Sequence, residues 1–432
     1  METAVTPCAP RAAPATLAQK LVARAAGRGS VRPGEFVDCA VDLAMFHDSS
    51  GPRRLAPMLA ALGARIWDPD RVVLVMDHYV PERDEESRRI VRIARDWAVE
   101  AGLTRVHDAI GICHVVLPRQ GHLRPGIFAV GGDSHSPTGG AFGAYMFGIG
   151  ATEMLGVMVT GRIWLQVPQT IRMRFDGRVA DGVSAKDLML FLIGRFGMNG
   201  GAYQAIEFAG DAVAAMGMEE RMTLCNMTAE LGAQTGLVAP DAVTVAWLAE
   251  HGVEGVDPAP WQSDAGAPLA AEHAFDAGAI GPQVALPHSP ANARPVAQAA
   301  GTPVQVGYIG ACTGAKLEDL RAAARVLRGA RIAAGTRLLV APASLADEAA
   351  AEREGVVAVL RAAGAEWLPT GCGACAGYGG SIPDGATVIS STARNFRGRM
   401  GAADAQVYLA SPYTVAASVL RGAITDPREV LS

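Results

Sequence analysis

No stretch of about 18 uninterrupted apolar residues occurs in the 432-residue chain, which excludes an ordinary membrane-spanning helix. A long basic run is missing too, and a formal net charge of -5 leaves no electrostatic footprint for nucleic acid or an anionic membrane. Aromatic residues are scarce, at 6%. Cysteine is sparse and odd in number, seven over the whole chain, which argues against a disulfide framework and for reduced cytoplasmic thiols or metal ligands. The first thirty residues contain no apolar stretch of signal-peptide length. Within them "LAQKLVARAAG" reads as a short amphipathic surface helix, and Glu2 together with that helix speaks against a transit peptide.

What is present is half hydrophobic and 19% charged, with Gly 50 and Pro 26, the composition of a globular protein with many tight turns. The length exceeds one ordinary core, so two or three domains are expected. Short β-like runs, "RVVLVMD" at Arg71, "GIFAVGGD" at Gly126, "RLLVAP" at Arg337 and "ATVISS" at Ala386, alternate with helical runs such as "ESRRIVRIARDWAVEAG" and "LADEAAAEREGVVAVLRAAG". That alternation predicts an α/β architecture with mostly parallel sheets. Two strands run into polar residues, Asp77-His78 and Asp133-Ser134-His135, and the carboxyl ends of parallel strands are where open α/β sheets place ligands. From Gln283 to Thr302 the chain loses periodicity and reads as an extended inter-domain linker.

Three cysteines lie in glycine-rich loops: Cys312 in "GACTGAK", and Cys372 with Cys375 in "GCGACAG". Gly371, Gly373 and Gly377 around the Cys-x-x-Cys would let a bulky inorganic group approach the backbone. A redox dithiol would open a helix after a strand, and zinc would show a fourth ligand at familiar spacing; neither is visible. On spacing alone an iron-sulfur site and unligated thiols stand level. Cys8 sits in a tail, and Cys39, Cys113 and Cys225 read as buried packing thiols. Histidines and carboxylates cluster in polar breaks at "HDSSGP", "MDHYVP", "GICHVV" and "GGDSHSPTGG", and the two Asp/His pairings at predicted strand ends place a carboxylate where it can orient an imidazole for proton transfer. "AFGAYMFGIGATEM" reads as a glycine-studded helix, and Asn226 and Glu230 as neighbours on one helix face. Arg394, Arg397 and Arg399 follow a predicted strand, and arginine forks suit carboxylates.

Taken in order, "DHYVP", "GICHVVLP", "PGIFAVGGDSHSPTGGAFGAYMFGIGATE", "RMTLCNMTAELGA", "PHSPANARPV", "GACTGAKLEDL", "GCGACAG" and "RNFRGR" resemble the aconitase superfamily, most closely its isopropylmalate dehydratase large-subunit branch. The resemblance spans nearly the whole chain. It implies a three-domain α/β core of mostly parallel sheets with the site between domains, at residues 1–168, 169–290 and 291–432. It implies a [4Fe-4S] cluster on Cys312, Cys372 and Cys375 with one iron open to substrate. Asp77, His78, His114, Asp133, His135 and Glu230 would be catalytic, Ser134, Arg394 and Arg399 substrate-binding, and Asn226 cluster-side.

The chemistry implied is reversible dehydration and rehydration of a hydroxy di- or tricarboxylate. In the family the base that removes the Cα proton is a serine on a small swivelling domain. Nothing up to Ser432 resembles that domain, so the resemblance implies a separate small subunit. Gly314 and Ala393 stand where the family usually carries asparagine. These departures bring homoaconitase-type and methylmalate- or dimethylmalate-type dehydration into consideration. A non-catalytic, regulatory or RNA-binding relative fits poorly, because the acid-base and arginine residues are retained and the chain is acidic.

Overall fold

The computed structural model describes residues 13–372, 375, 377–378 and 382–431; Glu2, Cys8 and Gly373 lie outside the described residues. Short aliphatic runs with no polar face form strands covered on both sides. Val72–Met76 is the clearest case, with all five residues buried. It lies second in a five-stranded parallel sheet ordered Arg105–Asp108, Val72–Met76, Leu43–His47, Phe128–Gly131 and Tyr145–Gly148. A second parallel sheet is ordered Thr235–Val238, Ala205–Ala209, Thr170–Asp176 and Ala271–Asp276.

The seven-stranded sheet is mixed. Five parallel strands, Gln406–Ala410, Thr387–Ser390, Val306–Ile309, Arg337–Val340 and Ala365–Trp367, carry an antiparallel edge of Ala293–Pro295 and Gln283–Ala285. Phe36–Ala40 and Arg162–Gln166 form a separate antiparallel pair. Amphipathic helices cover the sheets. In Glu85–Glu100 the stripe of Ile90, Val91, Ala94 and Trp97 is buried, and Asp84 and Ser87 close a capping box at its start.

Four local expectations are corrected. The supposed linker is a hairpin edge of the seven-stranded sheet: Val284 pairs with Arg294 on one side and Ala410 on the other, and Val284 and Ala285 are fully buried. Three-residue strands are too short to show a period of two, so the pattern was invisible. A division at residue 290 falls inside that hairpin. The N-terminal helix, Leu17–Ala25, lies largely within the protein, with Leu17, Ala18, Leu21 and Val22 fully buried. The run after Leu345 breaks at Gly355, whose left-handed φ of +75° separates Leu345–Arg353 from Val356–Ala363.

The glycine-studded "helix" is instead a 3-10 turn at Ser136–Phe142, a left-handed Gly143 and the strand Tyr145–Gly148. Its glycines permit contact rather than helix: a Cβ on Gly140 would lie 1.7 Å from the carbonyl oxygen of Gly236. Gly140→Ala must therefore push two backbones apart. We expect it to cost about 1–3 kcal/mol, the usual penalty of overpacking, read as a lowered midpoint in chemical denaturation. An unchanged midpoint would refute the close approach.

Candidate active site

Carboxyl ends of strands from two sheets meet across one cavity of about 570 Å³. The five-stranded sheet contributes His47, His78 and the Gly132–His135 turn, and the seven-stranded sheet contributes the Ala311-Cys312 and Ala393-Arg394 turns. Backbone polarity and loop freedom make strand ends the natural place for a site. Ala311, just before Cys312, holds a left-handed φ of +70°, a conformation that costs an alanine energy and persists only where its surroundings impose it.

Of the two pairings read from the sequence, Asp77 meets its neighbour His78, whereas Asp133 turns to the His114 ring and leaves the His135 ring to Glu230. His78 Nδ1 lies 2.7 Å from Asp77 Oδ1, whose other oxygen accepts the Cys113 N–H at 2.7 Å. His114 Nε2 lies 2.7 Å from Asp133 Oδ1, and the same oxygen accepts the His135 N–H at 2.8 Å. His135 Nε2 lies 3.0 Å from Glu230 Oε1, to which Arg394 Nε donates at 2.6 Å. Ser134 is exposed at the cavity wall, and Arg399 reaches the cavity with its Nε buried and unbonded among the described residues.

Asn226 ends the helix Met218–Asn226 and Glu230 follows the 3-10 turn Met227–Ala229, so they do not share one regular helix face. Both nonetheless reach the site. Asn226 Nδ2 donates to Thr138 Oγ1 at 2.8 Å and points at Cys312 Sγ at 3.2 Å.

Electrostatics follow from these pairs. Burial alone would push the His78 imidazole down, but the Asp77 carboxylate, then Asp48 and Asp133, raise it to about 9. His135 behaves alike: burial lowers it, Glu230 and Asp133 outweigh burial, and it too reaches about 9. Burial opposes ionisation of Asp133, yet His114, His135 and His47 hold it well below the carboxylate range. Both raised imidazoles stay protonated above their ordinary 6.5. Their contribution to stability is therefore full below about 6.5 and fades as pH rises through about 9. We expect kcat/KM to fall on the same alkaline limb, since the acid form is lost there. A flat profile to pH 10, on the order of ten times more hydroxide, would remove these imidazolium groups from the chemistry.

Several residues were given no place in the site from the sequence, although the break "HDSSGP" draws attention to His47 and Asp48. His47 stacks on His78, centroids 3.8 Å apart, with Nε2 3.2 Å from Ser50 Oγ. Asp48, fully buried, accepts the backbone N–H groups of His78 and Tyr79 at 3.1 and 2.8 Å. The only available signal was the polar break after an aliphatic run. Cys39, Cys113 and Cys225 are buried thiols as expected, and Cys113 also adjoins the cavity. Lys186, 1% exposed, donates to the carbonyls of Ser391 and Thr392 at 2.8 Å each. It thereby ties down the turn that carries Arg394. Gly314 has no room for a side chain, because its Cβ would lie 2.3 Å from Ser391 Cβ. Ser391 fills that space and accepts the Gly310 N–H at 2.9 Å.

A family model described as aconitase family (aconitate hydratase) matches residues 19–303 and 297–422. The chain belongs to the aconitase family. It is 41% identical over 418 residues to 3-isopropylmalate dehydratase large subunit 1 of Methanopyrus kandleri, covering 96% of this chain and 99% of that one. It is 42% identical over 392 residues to the probable methanogen homoaconitase large subunit of Methanosarcina mazei, covering 90% and 99%. The crystal structure of Thermococcus kodakaraensis aconitase X in its holo form matches with a TM-score of 0.51 at 13% identity, over 85% of this chain and 88% of that one. That likeness supports the aconitase-like α/β fold. The chain is a hydro-lyase of this family, whose enzymes generally use an iron-sulfur cluster. The relatives' designation as large subunits implies a small-subunit partner. Among the described residues no helix is long and apolar enough to cross a membrane.

Proposed function

We propose that this chain is the large subunit of a two-subunit dehydratase. It would isomerise a hydroxy di- or tricarboxylate of the isopropylmalate type with a [4Fe-4S] cluster on Cys312, Cys372 and Cys375. The observation that carries this reading is the shared cavity: Cys312, Cys372 and Cys375, three histidine-carboxylate pairs and two arginines line or adjoin one volume, with Cys113 beside them. The donor set fits such a cluster. Cys372 hydrogen-bonds Cys375, and that contact outweighs burial and, with Arg399 and His135, brings the Cys375 thiol to about 6. Asn226 keeps a buried Oδ1 with no hydrogen-bond partner among the described residues, beside Cys312. Cys113 is committed to Asp77, leaving three thiols for the cluster.

When bound, the cluster supplies a Lewis-acidic iron that makes hydroxide a better leaving group. The chain's own residues do the rest. Arg394 keeps donors beyond the one spent on Glu230, and with Arg399 and Ser134 at the wall it would hold the substrate carboxylates. Asp77-His78, Asp133-His114 and Glu230-His135 would retain and deliver the proton taken by the departing oxygen. The small subunit would bring the base that removes the Cα proton. The three sheets would centre three domains, and reduced thiols would suit a cytoplasmic setting. Homoaconitase-type substrates remain in view because a relative so designated is as similar as the isopropylmalate enzyme.

The test is anaerobic reconstitution with the small subunit, followed by EPR of the reduced cluster during titration with isopropylmalate, citramalate, dimethylmalate, homocitrate and citrate. One acid should perturb the signal and be turned over. No cluster, or a signal indifferent to every acid, would overturn the reading.

A further inference from the structure

The five-stranded sheet has a second functional-looking end. Its carboxyl end faces the catalytic cavity, whereas its amino end opens into another cavity of about 650 Å³. Arg105 begins the edge strand, Arg71 immediately precedes Val72–Met76, and Leu43 begins the central strand; all three line this cavity. Strands of this kind rise about 3.3 Å per residue, so roughly 15–20 Å of sheet separates the two cavities. The volume is within the range of small-molecule sites.

Charge on the wall is unbalanced. Arg24, Arg71, Arg105 and Arg124 face Asp42 and Glu254. Arg24 is paired with Asp42, which also accepts the Phe128 N–H at 2.8 Å, and Arg71 reaches Asp68 at 3.2 Å. Arg105 and Arg124, half-buried and exposed, make no side-chain hydrogen bond or ion pair among the described residues. His122, also on the wall, shares a 2.8 Å contact with His107. Burial, then His107, then Arg105 push the His122 imidazole down to about 4, so it adds a polar group and no charge. Two guanidinium forks therefore stand beside a metabolite-sized cavity without a carboxylate partner, a setting that suits an anion with several oxygens. Glu254 can accept from an oxyanion that keeps one O–H.

We propose that the amino end of the five-stranded sheet binds a small multivalent oxyanion, of phosphate or polycarboxylate chemistry, gripped by Arg105 and Arg124 and separate from the catalytic cavity. The site needs neither the cluster nor the small subunit.

Calorimetric titration of the full chain with inorganic phosphate, pyrophosphate and citrate tests it at low salt, where exposed charges are least screened. The expected result is saturable binding of at least one probe with a dissociation constant below about 1 mM. Binding should weaken at least about tenfold in R105Q/R124Q and stay within about twofold in R394K, which reports the catalytic cavity instead. Preference for the phosphates or for citrate identifies the source of the oxygens. Because the replaced arginines reach solvent, the double variant should melt within a few degrees of the parent, and a ligand-induced rise in melting temperature, present in the parent and lost in the variant, gives a second readout. Absence of saturable binding by every probe, or equal binding by R105Q/R124Q, overturns the proposal.

Discussion

Asp133→Asn is expected to lower kcat by about 10²- to 10⁴-fold, the usual weight of positioned acid-base groups. The replaced carboxylate has one oxygen 2.7 Å from His114 Nε2 and 2.8 Å from the His135 N–H, while its other oxygen lies 3.6 Å from His47 Nε2. Asparagine keeps the shape and an oxygen for both short contacts, but removes the negative charge and places an amide N–H where the second oxygen faces His47 Nε2. Weakening a charge-assisted contact of this part-buried carboxylate also costs about 1.5–3 kcal/mol of stability. The measurements are steady-state kinetics with the small subunit, iron content and a denaturation curve. Normal iron with a collapsed kcat locates the effect in proton handling. Activity within about tenfold of the parent would show that Asp133 only shapes its loop.

Alkylation of the cluster-free chain near pH 7 is expected to strike Cys375 well before Cys312 or Cys372. At a pKa of about 6 the Cys375 sulfur is mostly thiolate at neutral pH, and thiolate is the reactive form. Burial, then Cys375, push Cys312 up to about 12, and its contact with Cys375 first, then burial, raise Cys372 well above its ordinary value. The difference in thiolate fraction spans several orders of magnitude, partly offset by the lower intrinsic nucleophilicity of a low-pKa thiol. Mass spectrometry of iodoacetamide-treated protein gives the order of labelling, and the singly labelled chain should lose cluster assembly and activity together. Equal labelling of the three cysteines would mean that Arg399 and His135 do not support a thiolate there. Protection of Cys375 after reconstitution would add direct support for its role as a ligand.

Long aliphatic runs made the parallel strands legible, since a strand covered on both faces must be apolar throughout. The edge hairpin at Gln283–Pro295 was not, because three paired residues carry no readable period. Glycine misled in a specific way: spacing near a helical turn suggested a helix at Gly143 to Gly150. Those positions instead allow two backbones to touch and one strand to pair with Phe128–Gly131. Asp77, His78, Asp133 and His135 stood out because polar residues ended apolar strands. Lys186 did not, because its partners are backbone groups far away in the chain, at Ser391 and Thr392; the break at His47-Asp48 was visible, but not that Asp48 holds the backbone of His78.

The order of the motifs was sufficient by itself to indicate the family and the residue types its chemistry requires: thiols, imidazole-carboxylate pairs and arginines. Only the tertiary structure decided which carboxylate serves which histidine. Glu230 meets His135 across 95 positions of sequence and Arg394 across 164. It also decided the protonation states, because a pKa is set by burial and by the charges a few ångströms away, and neither is written in local order. Gly314 shows the same division. The sequence records that a side chain is missing, whereas packing against Ser391 explains why none fits.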